Sequence, residues 1–499
     1  MSSDKSLVGG EGIDHDDSIG RELEMMRAEM TSIRIDLPST VSDAAAALAG
    51  ASTQPAARMY DFKNIPFAGG DGTHSILSVL FGAHSIGGGI FGFLTMIDSN
   101  KVRVQCVECR KAVMEFPWMD DQSHIKGNVK VWRASFPCAR SVNVSMRRDI
   151  VDADFVHIRG DARVRLHAVN THHCRHVTDA AFVHLRGIHT LNMSHCRQIT
   201  DAAFVHLRGV HTLDMSYCKQ VTDAAFVHLQ GIHTLEMSHY MHAAITDAAF
   251  VHLRGIHTLN MSGLQVTDAA FEHLRGIHTL NINFCEHVTD AAFVHLSGIH
   301  TLRMNGCFQV THAAFVHLRG IHTLSMANCN QITDAAYMHL RGIHTLIMQN
   351  CTAITDAAFV YLHGIHTLDM SRCNKRTITD AAFVHLRGIH TLDMRECSQV
   401  TITDAAFVHL RGIHTLDMRK CSQVTITDAA FAHLRGIHTL EMSGCMQITD
   451  AVFVHLRGID KLTMIGCNRA TIAAAKVHLR GIRELITEEP EVSYTFAHV

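Results

Sequence analysis

The residues best placed to do chemistry are histidines. The chain has 41 of them, and most fall in two columns. One column precedes a leucine, as in His184, His206 and His228; the other precedes a threonine, as in His189, His211 and His233. Imidazoles at this density suit metal ligation or a response to pH. A metal site needs ligands that converge on one point, whereas these recur at a fixed interval. The pattern predicts neutral rings stacked one strand spacing apart, near 4.8 Å, capping main-chain groups where a helix runs into a strand. Cys106 and Cys109 could open a zinc or redox motif, but no second pair completes it, and on a helix that spacing places both thiols on one face. The cysteines from Cys174 to Cys467 recur at turns and are expected to be structural. Gly87-Gly88-Gly89 lacks the lysine and hydroxyl residue of a phosphate loop. No HExxH, GxSxG or kinase set is present. The expectation is therefore a non-enzyme with no metal and no cofactor.

Both histidine columns belong to a repeat. The phrase ITDAAFVHLRGIHTLDMSxC returns with its aspartate at Asp179, Asp201, Asp223, Asp247, Asp268, Asp290, Asp334, Asp356, Asp380, Asp404, Asp428 and Asp450, and His312 takes that slot once. The steps are 22 residues in most places, 21 once and 24 where two residues are inserted. With degenerate copies at Asp152 and Ala473, about fifteen units fill some 70% of the chain. This period and pattern match a leucine-rich repeat. In the copy from Ile188 to Leu207, Leu191 and Met193 point inward from a short strand. Cys196 ends the strand, where its thiol can satisfy turning backbone groups. Thr200 caps a two-turn helix, and Asp201 gives its first turn a negative charge. Ala203, Phe204 and Leu207 face the core, and Gly209 terminates the helix. Stacked units predict an α/β leucine-rich-repeat solenoid, with a curved parallel sheet inside and short helices outside.

The cysteine followed by ITDAAF resembles the cysteine-containing leucine-rich repeats of F-box proteins, the substrate receptors of cullin–RING ubiquitin ligases. The uniformity of the copies is similar to arrays in large DNA viruses and protists. The resemblance implies an F-box ahead of the repeats, and Ile90 to Trp118 looks like its second half. Ile90, Phe91 and Leu94 would form one short helix, Asp98-Ser99-Asn100 a turn, and Val102, Val104, Cys106 and Val107 the next helix. Trp118 stands at the closing tryptophan. Ile90, Phe91, Leu94, Val102, Val104, Cys106 and Trp118 would bind a Skp-type adaptor, which docks on a cullin. The usual Leu-Pro opening is absent directly upstream; Ile65-Pro66 lies apart from it. The rival reading is a small helical module that only caps the solenoid.

The expected organisation is an arm over 1–58, an F-box-like module over 59–135, the solenoid over 136–487 and a tail over 488–499. The arm carries a short heptad seam through Ile19, Leu23, Met26, Met30, Ile33 and Leu37. Its polar, acidic start is no secretory signal, which suggests a cytoplasmic or nuclear protein that is not secreted. Gly72 to Ile97 contains no acidic or basic residue and is long enough to span a bilayer. His74, His84 and the glycine run argue against that. Lys plus Arg number 44 against 47 Asp plus Glu, a net charge of −3, which gives no general reason to expect nucleic acid.

Variation concentrates on the open face of the sheet. The first outward column is threonine, from Thr190 to Thr439, and the second varies. Asp369, Asp393, Asp417 and Glu441 fall in register there, flanked by Arg395 and Arg419, with Arg372, Glu396 and Lys420 one residue further. Such a stripe could hold an unidentified protein substrate on the concave face, or its opposite charges could satisfy one another. Phe284, Arg303 and Ile347 break the pattern elsewhere. The function implied is a non-catalytic receptor that presents a protein to a ubiquitin ligase. The alternative is a repeat scaffold without that role.

Overall fold

The computed structural model describes residues 111, 113–120, 122–160, 165–238, 244–373 and 376–488. The apolar positions of the repeat form the core. Ile188, Leu191, Met193, Cys196, Ile199, Ala203, Phe204 and Leu207 are each at most 2% exposed. Thr190–Asn192 is the strand of this unit and Asp201–His206 its helix. The Thr200 hydroxyl accepts from the Ala202 N–H at 3.3 Å and caps that helix. Most of these helices are tighter 3-10 turns rather than the two α-helical turns expected. α geometry appears at four-residue stretches such as Asp356–Phe359, Asp380–Phe383 and Asp404–Phe407, and over Arg469–His478 in the last, degenerate copy. The chain then turns at Gly209, whose φ is +80°. A Cβ there would meet nothing within 4 Å, so the left-handed backbone, not space, calls for glycine.

Sixteen strands, from Ser141–Asn143 to Glu484–Ile486, pair in chain order in one parallel sheet. The register sets like against like: Thr190 beside Thr212, Leu191 beside Leu213. Behind the sheet runs a column of buried rings, among them Phe182, Phe204, Phe226, Phe250, Phe271, Phe293 and Phe315, each at most 1% exposed. Burying one such side chain contributes about 1.5–3 kcal/mol, but only because the next unit covers it.

Two kinds of side-chain bond between units recur along nearly the whole array. Twelve aspartates, from Asp152 to Asp428, each accept the main-chain N–H of the next unit's cap threonine at 2.7–2.9 Å and its hydroxyl at 2.5–2.7 Å. Twelve buried cysteine thiols, Cys174 to Cys467, each donate to a carbonyl of the preceding unit at 3.1–3.4 Å. The expected structural role of the cysteines thus takes the form of a bond between units.

The chain divides into compact units at 1–116 and 117–499. The unit that holds the repeats starts at Pro117. Trp118 lies inside it, 1% exposed, edge-on to Phe136 at 6.2 Å. Its carbonyl accepts from the Arg140 and Ser141 N–H groups at 2.7 and 3.0 Å, tying it to the first strand. Beside it the helix Val129–Ser135 carries Arg133. That guanidinium donates to the Phe136 and Ala139 carbonyls at 3.2 and 2.8 Å, to that of His157 at 3.2 Å, and to that of Ile158. Burial pulls its pKa down to about 10.

Candidate partner-binding face

The open face of the sheet presents four parallel columns, because alternate strand residues point away from the core. Threonine fills the first. The second runs through Asn192, Asp214, Glu236, Asn260, Asn281, Arg303, Ser325 and Ile347 to Asp369, Asp393, Asp417 and Glu441. Pairing puts Asp369 beside Asp393, Asp393 beside Asp417 and Asp417 beside Glu441, as the repeat spacing predicts. Arg395 and Arg419 stand in the third column. Arg395 lies 2.9 Å from Asp393 and 3.9 Å from Asp369, and Arg419 lies 2.6 Å from Asp417. Glu441 accepts from the Ser443 hydroxyl at 2.5 Å. Glu396 is shared by Arg372 at 2.8 Å and Lys420 at 3.2 Å, and both pull its pKa down. Burial, then the Asp369 and Asp417 charges, push Asp393 up to about 6.

All seven sheet-face candidates, Asp369, Asp393, Asp417, Glu441, Arg395, Arg419 and Lys420, therefore meet on one patch, bonded largely to one another. With Glu396 and Arg372 the patch holds five acids and four bases, which nearly cancel, so a partner would meet a mosaic of charge rather than an acidic stripe. Of the adaptor-binding candidates, Ile90, Phe91, Leu94, Val102, Val104 and Cys106 lie outside the described residues. So do the heptad seam and Gly72 to Ile97. Trp118 is described, and it is buried against Phe136. Among the described residues no helix is long and apolar enough to cross a membrane.

The fourth column was only partly legible. The residue before each cysteine is left-handed: φ is +61° at His195 and Tyr217, +57° at Phe284, +63° at Asn328, +61° at Arg372, +56° at Glu396 and +57° at Lys420. Holding a non-glycine residue there costs on the order of 1 kcal/mol. Gly306 and Gly444 fill the same slot, and their presence beside Asn328 and Asn350 was the signal that marks it. The slot projects side chains outward, leaving Tyr217 and Phe284 40% and 44% exposed. Phe284 lies across Gly306, where a Cβ would come within 2.7 Å of its ring.

The strand histidines form one ladder. Thirteen rings, from His167 to His438, stack at 4.2–4.6 Å with planes within 18° of parallel. In the eleven rings from His189 to His414, Nδ1 sits 3.1–3.2 Å from the next threonine hydroxyl. The partner is that hydroxyl rather than the main-chain group expected.

A family model for the BspA type leucine rich repeat region matches residues 175–300, 243–366 and 352–469, with six copies. Together these matches span 175–469, more than half of the chain. The chain belongs to this family. No curated protein matches it. Among solved structures, Toll in the Toll–Spatzle complex of Drosophila aligns at 13% identity and a TM-score of 0.50, over 70% of this chain and 49% of that one. The glycosylated form of that complex aligns at 14% identity and a TM-score of 0.50, over 73% and 54%. This chain thus spans about half of the Toll chains. The yeast Rad7–Elc1 complex aligns at 15% identity and a TM-score of 0.39, over 59% and 81%.

Proposed function

We propose that this chain is a non-catalytic scaffold that holds a protein partner on the open face of its sheet. The observation that supports this most is the contrast between columns. The core, cap and threonine positions barely change from unit to unit. The second, third and fourth outward columns change polarity, size and charge along the array, which is how an extended surface becomes specific. The Toll fold, seen in complex with Spatzle, is a precedent for a solenoid of this kind engaging a protein. The finer reading is that the held protein is presented to a ubiquitin ligase, with Ile90, Phe91, Leu94, Val102, Val104 and Cys106 engaging a Skp-type adaptor that brings a cullin complex. It rests on the resemblance of that segment to an F-box.

Affinity capture with the full chain, followed by mass spectrometry, tests the scaffold. The comparison is a variant carrying Phe284→Ala, Arg372→Ala and Lys420→Ala. A protein retained by the native chain and lost by the variant is the expected result. Capture of the same proteins by both refutes the face assignment. For the finer reading, a Skp-type adaptor should be retained by the full chain and lost on Phe91→Ala with Leu94→Ala. An adaptor never retained, from a chain that still captures its partner, leaves the scaffold without a ligase role.

A further inference from the structure

The near-zero net charge hides a segregation. Between each helix histidine and the strand threonine the chain reads His-Leu-Arg-Gly-Ile-His-Thr, so this loop lies along one edge of the solenoid. In the twelve units from His184 to Thr439 these loops carry nine arginines: Arg186, Arg208, Arg254, Arg275, Arg319, Arg341, Arg387, Arg411 and Arg435. The loops contain no acidic residue, and Glu272 is the one carboxylate directly beside them. All nine arginines are exposed. Among the described residues none of them forms an ion pair, whereas Arg372, Arg395 and Arg419 on the sheet face are all paired with carboxylates. The array's repeating aspartates are likewise occupied by threonines.

These arginines are also held in place. Arg186, Arg208 and Arg387 donate through Nε to Nδ1 of the next unit's helix histidine, His206, His228 and His409, at 3.1–3.2 Å. Arg254 and Arg319 do the same to His273 and His339 at 3.3 Å. In each of these bonds the imidazole Nδ1 is the acceptor. Parallel to the arginines runs the imidazole ladder, one ring every 4.5 Å or so. The edge is a positioned row of guanidinium and imidazole groups that, among the described residues, pairs with no carboxylate.

We propose that this edge binds a single-stranded nucleic acid through its phosphates. A guanidinium fork meets phosphate in a two-point bond, and a linear polyanion gains affinity by releasing its counterions. The fit favours a flexible strand. Each duplex strand advances about 3.4 Å along the axis per phosphate while winding around that axis, so a straight row of units about 4.5 Å apart can follow neither strand for long. An extended acidic peptide places same-face carboxylates about 6.6 Å apart and misses more. A single strand adjusts its rise to the row.

The test is fluorescence anisotropy of a labelled 30-nucleotide oligo(dT) titrated with the full chain over a range of salt concentrations. The variant is Arg186→Gln with Arg208→Gln, Arg254→Gln and Arg319→Gln. Glutamine occurs naturally at this position as Gln230, where it keeps a contact of 3.3 Å to His252, so the variant removes charge while preserving the contact between units. Circular dichroism should show an unchanged melt. Native protein should bind with an affinity that falls steeply with salt. In the variant binding should weaken at least tenfold, and the slope of log affinity on log salt should flatten by about 3, at roughly 0.7 per phosphate contact. Lys420→Gln, on the sheet face, should change neither. Absence of binding at low salt, or a folded variant that binds like the native chain, overturns the proposal. So does displacement of oligo(dT) by duplex at equal phosphate concentration. Binding of heparin or anionic vesicles without oligo(dT) would make the edge a polysaccharide or membrane surface instead.

Discussion

Replacing His312 with aspartate should stabilise the array at one joint. Every other unit from Asp152 to Asp428 offers a carboxylate to the threonine of the next unit. At His312 the series breaks, and Thr333 is also a cap threonine whose side chain makes no capping bond. The neighbouring joints show what the variant would regain. Asp290 accepts from the Thr311 N–H and hydroxyl at 2.7 and 2.6 Å, and Asp334 accepts from those of Thr355 at 2.8 and 2.6 Å. A hydrogen bond to a charged group contributes about 1.5–3 kcal/mol when buried. His312 and Thr333 are exposed, so solvent screening brings the pair of bonds down to about 1–2 kcal/mol in total. That figure includes the favourable placement of an anion at a helix start. A long array does not unfold in one step, so the assay must be local. Hydrogen exchange followed by mass spectrometry should show peptides around Thr333 exchanging about 5–30-fold more slowly in His312→Asp. Peptides around Thr200 should be unchanged. His312→Asn, a neutral acceptor, should recover less than half of the effect. Unchanged exchange at Thr333, or equal slowing across the whole array, would refute the claim that aspartate–threonine bonds hold adjacent units together.

Acid should loosen the solenoid. The pKa values of His206, His339 and His409 are lowered from 6.5 by desolvation and then by Arg186, Arg319 and Arg387, and those of His233, His300 and His366 by desolvation and then by neighbouring rings. A base whose folded pKa lies below its unfolded one binds its proton first in the unfolded chain. Stability is therefore full above about pH 6.5 and declines below it, levelling once the folded pKa is passed. The melting temperature should drop between about pH 7.5 and 5.5; a flat profile would contradict the ladder's neutrality. Asp393 shifts the other way. Its carboxylate is raised to about 6, so ionisation opposes folding at neutral pH. Asp393→Asn should match or exceed the native melting temperature at pH 7, with the gap closing near pH 5; a variant clearly less stable at pH 7 would show that the Arg395 pair outweighs burial. The repeat thiols are buried and their pKa values pushed up, as at Cys174, to about 12, and Cys329, to about 11. Iodoacetamide should therefore label Cys138, which is half-buried, well before any described thiol from Cys174 to Cys467. Early labelling of Cys307 or Cys397 would contradict the closed core.

What could be read from one copy of the repeat was what one copy contains. Leu191, Met193 and Phe204 point inward because a strand and a helix each bury one face, and Thr200 caps because the helix starts beside it. Relations between copies were harder to see. Asp201 read as a charge for its own helix, but its two oxygens serve Thr222, a residue 21 positions away that only stacking brings within reach. The arginine edge was missed for the same reason in reverse. Summing charge over the chain cancels Arg186 against Asp179, although Asp179 is occupied by Thr200 and Arg186 lies at the other end of its helix, in the loop that leads into the strand. Trp118 shows a third relation: a motif reads it by its place in a phrase, and its packing on Phe136 and its bonds to the first strand are visible only in the fold. In a solenoid, a residue's role is set by its equivalents one unit before and one unit after. Columns of charge and hydrogen bonding read across the units, rather than along the chain, are therefore the level at which its binding surfaces become visible.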